Sequence, residues 1–159
     1  MTVRPAAAPD VPAIAALIKV HADRGKMIAR GPDELFAALP AWLVAEQKGE
    51  LVGCASVHVF WADLAEIKGL AVKGAAQGKG VGKALVLACH AKLRALGVGR
   101  AFALTSEPAF FEKLGYRRVK KEELPHFIWG ECVRCPSFPV CNEEALLYDL
   151  GGKKRKGSR

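Results

Sequence analysis

The stretch from Asp63 to Leu96 constrains the fold most, because its hydrophobic period changes within a short span. It opens as Asp63-Leu-Ala-Glu-Ile-Lys-Gly-Leu-Ala-Val72, with Leu64, Ile67 and Val72 among β-favouring neighbours, as in a strand. A turn follows, carrying Gln77 and then Gly78, Gly80 and Gly82. From there to Leu96 the spacing is helical, with Lys83, His90 and Arg94 sharing one polar face of an apolar segment. Strand, glycine-rich turn and helix together make an anion site. The first-turn amides of a helix lack intrahelical partners and carry the positive end of its dipole. Glycines let a phosphate reach those amides without meeting a Cβ.

The spacing selects among such sites. It is not G-x-G-x-x-G, and no Gly-Lys-Ser/Thr follows, so dinucleotide and Walker readings fit poorly. Gln77, Gly80 and Gly82 instead give Q-x-x-G-x-G after a strand ending Leu70-Ala71-Val72. This resembles the acetyl-CoA signature of the GNAT superfamily of N-acetyltransferases. The resemblance implies that Gln77, Gly78, Lys79, Gly80, Val81 and Gly82 hold the coenzyme A pyrophosphate. It also implies that Leu70, Ala71 and Val72 pair with the pantetheine arm. The plainer alternative is an ordinary strand-to-helix turn with incidental glycines.

With 159 residues, the chain has the length of one domain with a real core. A hydrophobic fraction of 51% and a charged fraction of 25% are those of a soluble globular protein. No apolar run approaches the roughly 20 residues that span a bilayer, and Met1-Thr-Val-Arg-Pro5 is no signal peptide. A cytoplasmic protein with no membrane partner is therefore expected. Of the net charge of +8, five charges fall on Lys153, Lys154, Arg155, Lys156 and Arg159, leaving +3 for residues 1–150. Residues 151–159 are expected to form a disordered basic tail after one domain over 1–150. A tail contact with nucleic acid or an acidic partner is the functional alternative, but no aromatic is interleaved for base stacking.

Read in order, Thr2–Pro5 predicts a first strand and Asp10 a helix cap. Val11, Ile14, Leu17 and Ile18 predict a helix to Val20, followed by a polar connection over His21–Arg30. A second helix is expected from Pro32 through Leu39, ended by Pro40. Trp42–Ala45, Leu51–Trp61 and Asp63–Val72 predict an antiparallel meander, its first turn at Lys48-Gly49-Glu50. After the long helix, Arg100–Leu104 predicts a central strand. Pro108–Leu114 predicts a short helix stopped by Gly115, and Arg117–Val119 a further strand. The order βααβββαβαβ describes an α+β domain with a mixed, mostly antiparallel sheet and flanking helices, which matches the GNAT fold. Glu107-Pro-Ala-Phe-Phe-Glu-Lys-Leu-Gly-Tyr116 resembles the late GNAT helix ending in Leu-Gly-aromatic.

The implied reaction moves an acetyl group from a thioester to an amine, which attacks only when neutral, so a base or water chain must take its proton. Glu66 is the best placed carboxylate for that base. Leu70, on the same strand, is the candidate backbone donor to the oxyanion. Many relatives protonate the departing thiolate with a tyrosine of the late helix. Phe111 stands at the matching place, so that acid is missing, and Tyr116 is expected in the core.

Three segments resemble the N-acetylglutamate synthases, especially the short form lacking an amino-acid-kinase domain. They are Gly25–Leu35 with Arg30, Phe60–Val72 with Glu66 and Lys68, and Ala103–Phe111 with its Leu104-Thr105 pair. The resemblance implies L-glutamate as acceptor, with Arg30 and Lys68 as carboxylate contacts; the family often has arginine near Lys68. Some longer relatives carry another arginine after the Leu-Thr pair, where Ser106-Glu107 stands here. The family also often dimerises through late strands. Another amine as acceptor, or a non-catalytic acyl-CoA-binding module, are the competing readings.

Cys54 and Cys89 fall in a strand and a helix, where buried inert thiols are expected. Cys132, Cys135 and Cys141 form C-x2-C-x5-C in a loop over about 130–142, with a spacing suited to a structural zinc. His126 is the nearest fourth ligand by sequence; reduced, packed thiols are the alternative.

Overall fold

The computed structural model describes residues 1–125 and 143–151. Among the described residues, seven strands form one sheet: β1 (Thr2–Pro5), β2 (Trp42–Gln47), β3 (Glu50–Trp61), β4 (Leu64–Val72), β5 (Arg100–Thr105), β6 (Arg117–Val119) and β7 (Glu144–Asp149). Four α-helices accompany them: α1 (Val11–Ala22), α2 (Pro32–Ala37), α3 (Val81–Ala95) and α4 (Pro108–Glu112). The strand order is β1-β2-β3-β4-β5-β7-β6. Only β4 and β5 run parallel, joined by the α3 crossover, and every other pairing is antiparallel. This is the expected α+β architecture with a mixed sheet, and β5 is internal as its continuous apolar run requires.

The β2–β3 hairpin turns at Lys48 and Gly49, both at positive φ (51° and 76°), as tight two-residue hairpins demand. The sheet's two faces bury different helices. Val11, Ile14, Leu17 and Ile18 of α1 and Leu35 of α2 pack on Trp42, Val44, Cys54 and Ala71. On the other face, Val81, Leu85, Cys89 and Leu93 of α3 pack on Leu43, Ala45, Ala55, Val57, Ala65 and Ile67. Burial pushes the Cys54 and Cys89 thiols up to about 12, so both are inert at neutral pH.

Four local expectations are corrected. Asp10 does not cap α1. Its carboxylate instead accepts from Arg4 at 2.8 and 3.0 Å and from the Ala7 amide at 2.7 Å, and the Arg4 hydrogen bonds hold its pKa below the ordinary value. The α1 helix continues through His21 to Ala22, two residues past Val20. The α2 helix ends at Ala37, because Pro40 sits inside a separate 3₁₀ turn over Leu39–Ala41. His90, expected on a polar face with Lys83 and Arg94, is 1% exposed. The aromatics behind α3 explain that burial. His90 Nε2 is 2.6 Å from the Tyr116 hydroxyl, and its ring stacks on Tyr148 at 4.4 Å. Tyr116 is in the core as expected, edge-on to Phe111 at 5.1 Å.

Residues 126–142 and 152–159 lie outside the described residues, and with them His126, Cys132, Cys135, Cys141 and the basic tail. Among the described residues, no group of histidine, cysteine and carboxylate side chains could hold a metal ion. No described helix is long and apolar enough to cross a membrane.

Burial, and secondarily Arg94, lowers the His90 pKa from 6.5 to about 4. The unfolded chain therefore binds a proton there between those values while the folded chain does not, so stability falls as pH drops through that window. Thermal melts from pH 7.5 to pH 5 should show a loss of about 1–2 kcal/mol from this group. The His90→Phe variant, weaker overall because Tyr116 loses its partner, should lack that part of the slope.

Candidate functional site

The site forms where β4 and β5 part. Their parallel ladder pairs Ala65 with Ala101 and Glu66 with Phe102, and goes no further. Beyond Glu66, the rest of β4 has no strand on its β5 side among the described residues, while β5 continues pairing with β7 to Thr105. A strand edge that opens this way offers backbone groups to an extended ligand.

A β-bulge sits beside the opening. Cys54 pairs with Ala71 but Ser56 pairs with Lys68, so Gly69 and Leu70 together oppose Ala55. The extra residue reverses which face β4 shows. Ala65 and Ile67 face α3, whereas Ala71 faces α1. Glu66 and Lys68 thus precede the change of face, and Leu70 and Val72 follow it. Gly69 is obligatory here: its φ is +66°, and a Cβ would lie 2.4 Å from Cη2 of Trp42. An isolated glycine in a strand pattern is the sequence signal for such a bulge, and sequence reasoning passed over it.

The glycine loop closes one end. Gly78 and Gly80 have φ of +76° and +87°, and a Cβ on either would meet nothing within 4 Å. The space over this loop is open. Gly80 is the residue before α3 and has no side chain to cap it, so the amides of the first turn are left to a ligand. Gln77 Nε2 donates to the Val72 carbonyl at 3.1 Å and pins the loop to the end of β4. Gly82 keeps the helix close to α4, since a Cβ there would sit 3.2 Å from Phe110 Cζ.

A cleft of about 720 Å³ runs from this loop along the opening. Leu70, Val72, Gln77, Gly78 and Gly82 line it, with Phe110 and Phe111 alongside. Ala71 and Val81 turn their side chains into the core, and Lys79 and Gly80 are exposed at the surface of the loop. At the other end, Arg30, Glu66 and Lys68 share the cleft wall with Arg24, Lys26, Thr105, Ser106 and Glu107. The structure thus brings the three candidate substrate and base residues to one cavity with the glycine loop. The Arg30 side chain is 12% exposed and lies 3.7 Å from Glu34, one helical turn on. Lys26 and Glu107 approach to 3.9 Å, linking the 23–31 connection to the loop before α4. Phe111 is buried and carries no hydroxyl. Thr105 and Phe110, from the two late segments that resemble the family, also line the cleft, and so does His21, which no motif marks.

The acetyltransferase (GNAT) family model matches residues 17–116. The chain is 34% identical over 148 residues to an uncharacterised N-acetyltransferase of Chlorobaculum tepidum, covering 93% of this chain and 96% of that protein. It is 35% identical over 150 residues to the amino-acid acetyltransferase of Mycobacterium tuberculosis, covering 92% and 85% respectively. A solved M. tuberculosis structure in complex with CoA superposes with a TM-score of 0.81 at 28% identity, over 94% of this chain and 99% of that one. The N-acetylglutamate synthase of Neisseria gonorrhoeae, complexed with coenzyme A and N-acetyl-glutamate, superposes with a TM-score of 0.85 at 30% identity. That match covers 94% of this chain and 35% of the synthase.

The bulge supplies a direct test. Gly69→Ala would place a methyl in the Trp42 ring at a positive φ, which should cost about 2–4 kcal/mol. Denaturant unfolding should show that loss. A Gly53→Ala control tests tight packing without positive φ, because its Cβ would meet the buried side chains of Leu85 and Val81 at 2.9 and 3.0 Å and the Ala71 carbonyl oxygen at 3.3 Å. It should cost less.

Proposed function

The chain belongs to the acetyltransferase (GNAT) family and is an acetyl-CoA-dependent N-acetyltransferase, and on that premise we propose that it acetylates the α-amino group of L-glutamate. The observation that supports the proposal is that Arg30, Lys68 and Glu66 line the same cleft as the glycine loop. An acceptor with two carboxylates needs fixed cations around an amine that is left free. Arg30 suits a bidentate carboxylate contact, and its shielding from water strengthens that contact. Lys68 adds a point charge on the strand that carries the base. The relatives named as amino-acid acetyltransferase and N-acetylglutamate synthase support the same reading.

The residues fit the coenzyme: the open glycine loop, the uncapped start of α3 and the unpaired edge of β4 would hold its phosphates and its arm. Acetyl-CoA supplies the activated acyl group. Glu66, the last ladder residue before the strands part, takes the proton from the acceptor amine, directly or through a water. The Leu70 amide, just past the bulge, donates to the acyl oxygen as negative charge grows on it. Phe111 contributes no proton; it keeps its part of the cleft dry.

A second reading, a larger amine such as a peptide N-terminus, is favoured by one feature. A neighbouring groove of about 610 Å³, walled by Leu35, Trp42, Val57 and Val59, meets the cleft at Arg30 and Lys68. It leaves room beyond the two cations for a longer acceptor.

The deciding assay follows CoA release by the purified protein with acetyl-CoA and each of the twenty amino acids, and with short peptides. Saturable turnover with glutamate is expected. Arg30→Ala should raise its KM roughly 10- to 100-fold, the loss of one charged hydrogen-bonded contact, with a smaller change in kcat. No turnover with glutamate, while CoA still binds, would sink the glutamate reading. Turnover with peptides alone would establish the second.

A further inference from the structure

The cleft has two ends supplied by different parts of the chain, and one residue is bonded toward both, through its ring and through its main chain. His21 lies in the last turn of α1 and lines the cleft. Its Nε2 is 3.2 Å from the carbonyl oxygen of Val72. That oxygen can only accept, so Nε2 carries the hydrogen, as it does in the Nε2–H tautomer and in the imidazolium. The same oxygen accepts from Gln77, so a side chain from α1 and one from the glycine loop converge on the last residue of β4. On the far side, the Lys73 amide donates to Val52 at 2.8 Å. The strand end is therefore held from both sides where it hands over to the loop.

The backbone of His21 works in the other direction. Its carbonyl accepts the amides of Arg24 and Lys26, each at 3.1 Å, which turns the chain out of α1 and into the 23–30 connection. That connection carries Lys26 and Arg30 to the acceptor end of the cleft. The fold itself has no need of the imidazole. The α1 helix is anchored by Val11, Ile14, Leu17 and Ile18, and His21 is no part of that buried cluster.

We infer that His21 is a positioning residue that fixes the coenzyme end of β4 and couples it to the acceptor-binding connection. Its ring sets where the Val72 carbonyl and the start of the glycine loop stand. Its main chain sets where the connection begins. Ordering of one end by a ligand then reduces the freedom of the other through a single residue. The inference rests on the coenzyme reading of the cleft, but not on glutamate as the acceptor.

The test is CoA binding to the full chain by calorimetry, which requires no acceptor. His21→Phe keeps the ring's bulk and removes the donor, while His21→Gln keeps a donor of similar reach. Losing one of two hydrogen bonds to a partly shielded carbonyl should weaken CoA binding about 10-fold in His21→Phe, and His21→Gln should recover to within about 3-fold of wild type. Hydrogen exchange gives a readout that a merely structural role would not move: CoA should protect the amides of residues 23–30 in wild type and His21→Gln but not in His21→Phe. Unchanged CoA affinity in His21→Phe, or a His21→Gln variant no better than His21→Phe, would overturn the inference. So would protection of 23–30 that survives in His21→Phe. If glutamate turnover fails while these binding results hold, only the acceptor assignment is lost.

Discussion

The contact between Gly69 and the Trp42 ring governs the rest of the site. Because Gly69 has no Cβ, the backbone of β4 can take a positive φ in the middle of a strand, and the indole fills the place a Cβ would need. The strand then gains one residue against β3 and changes face. It reaches the glycine loop with Leu70 and Val72 packed toward α3 and with Glu66 and Lys68 turned toward α1 and α2. A regular strand of the same composition would put these four even-numbered residues on one face.

The opening between β4 and β5 depends on the same arrangement. A parallel pair joined by a helical crossover normally continues its ladder, and here it stops after two residue pairs. Neither strand is left loose by this. The α3 helix seals one face of β4, and β7 takes the other side of β5 along its whole length. The cleft is therefore a gap between two strands that are each held from elsewhere, with Glu66 and Lys68 carried by β4 itself.

Much of this was legible in the residues. Alternation and helical spacing located nearly every strand and helix, and Gln77, Gly80 and Gly82 marked the loop for three different reasons: Gln77 pins it to Val72, Gly80 takes a positive φ, and Gly82 makes room for Phe110. Arg30 and Lys68 came from resemblance, and the structure brings them to the same cavity as Glu66. What escaped was set by distant contacts. Gly69 looked like an ordinary strand residue, because its need arises from Trp42, far away in sequence. His90 looked like a surface residue, because helical spacing cannot reveal that Tyr116 and Tyr148 wait behind it. His21 looked like the first residue of a polar connection, because its partner, Val72, is a backbone oxygen and leaves no trace in composition. Asp10 had the right residue type for a cap, but Arg4 on the neighbouring strand offered it a charge.

The change of face along β4 also bears on how such a chain can diversify. Positions 66 and 68 lie on the face of the α1–α2 layer, while Leu70 and Val72 pack with the α3 cluster. Replacements in the first set meet different neighbours from replacements in the second, although both sets line one cleft. One strand thus presents two separately variable surfaces, divided by a glycine.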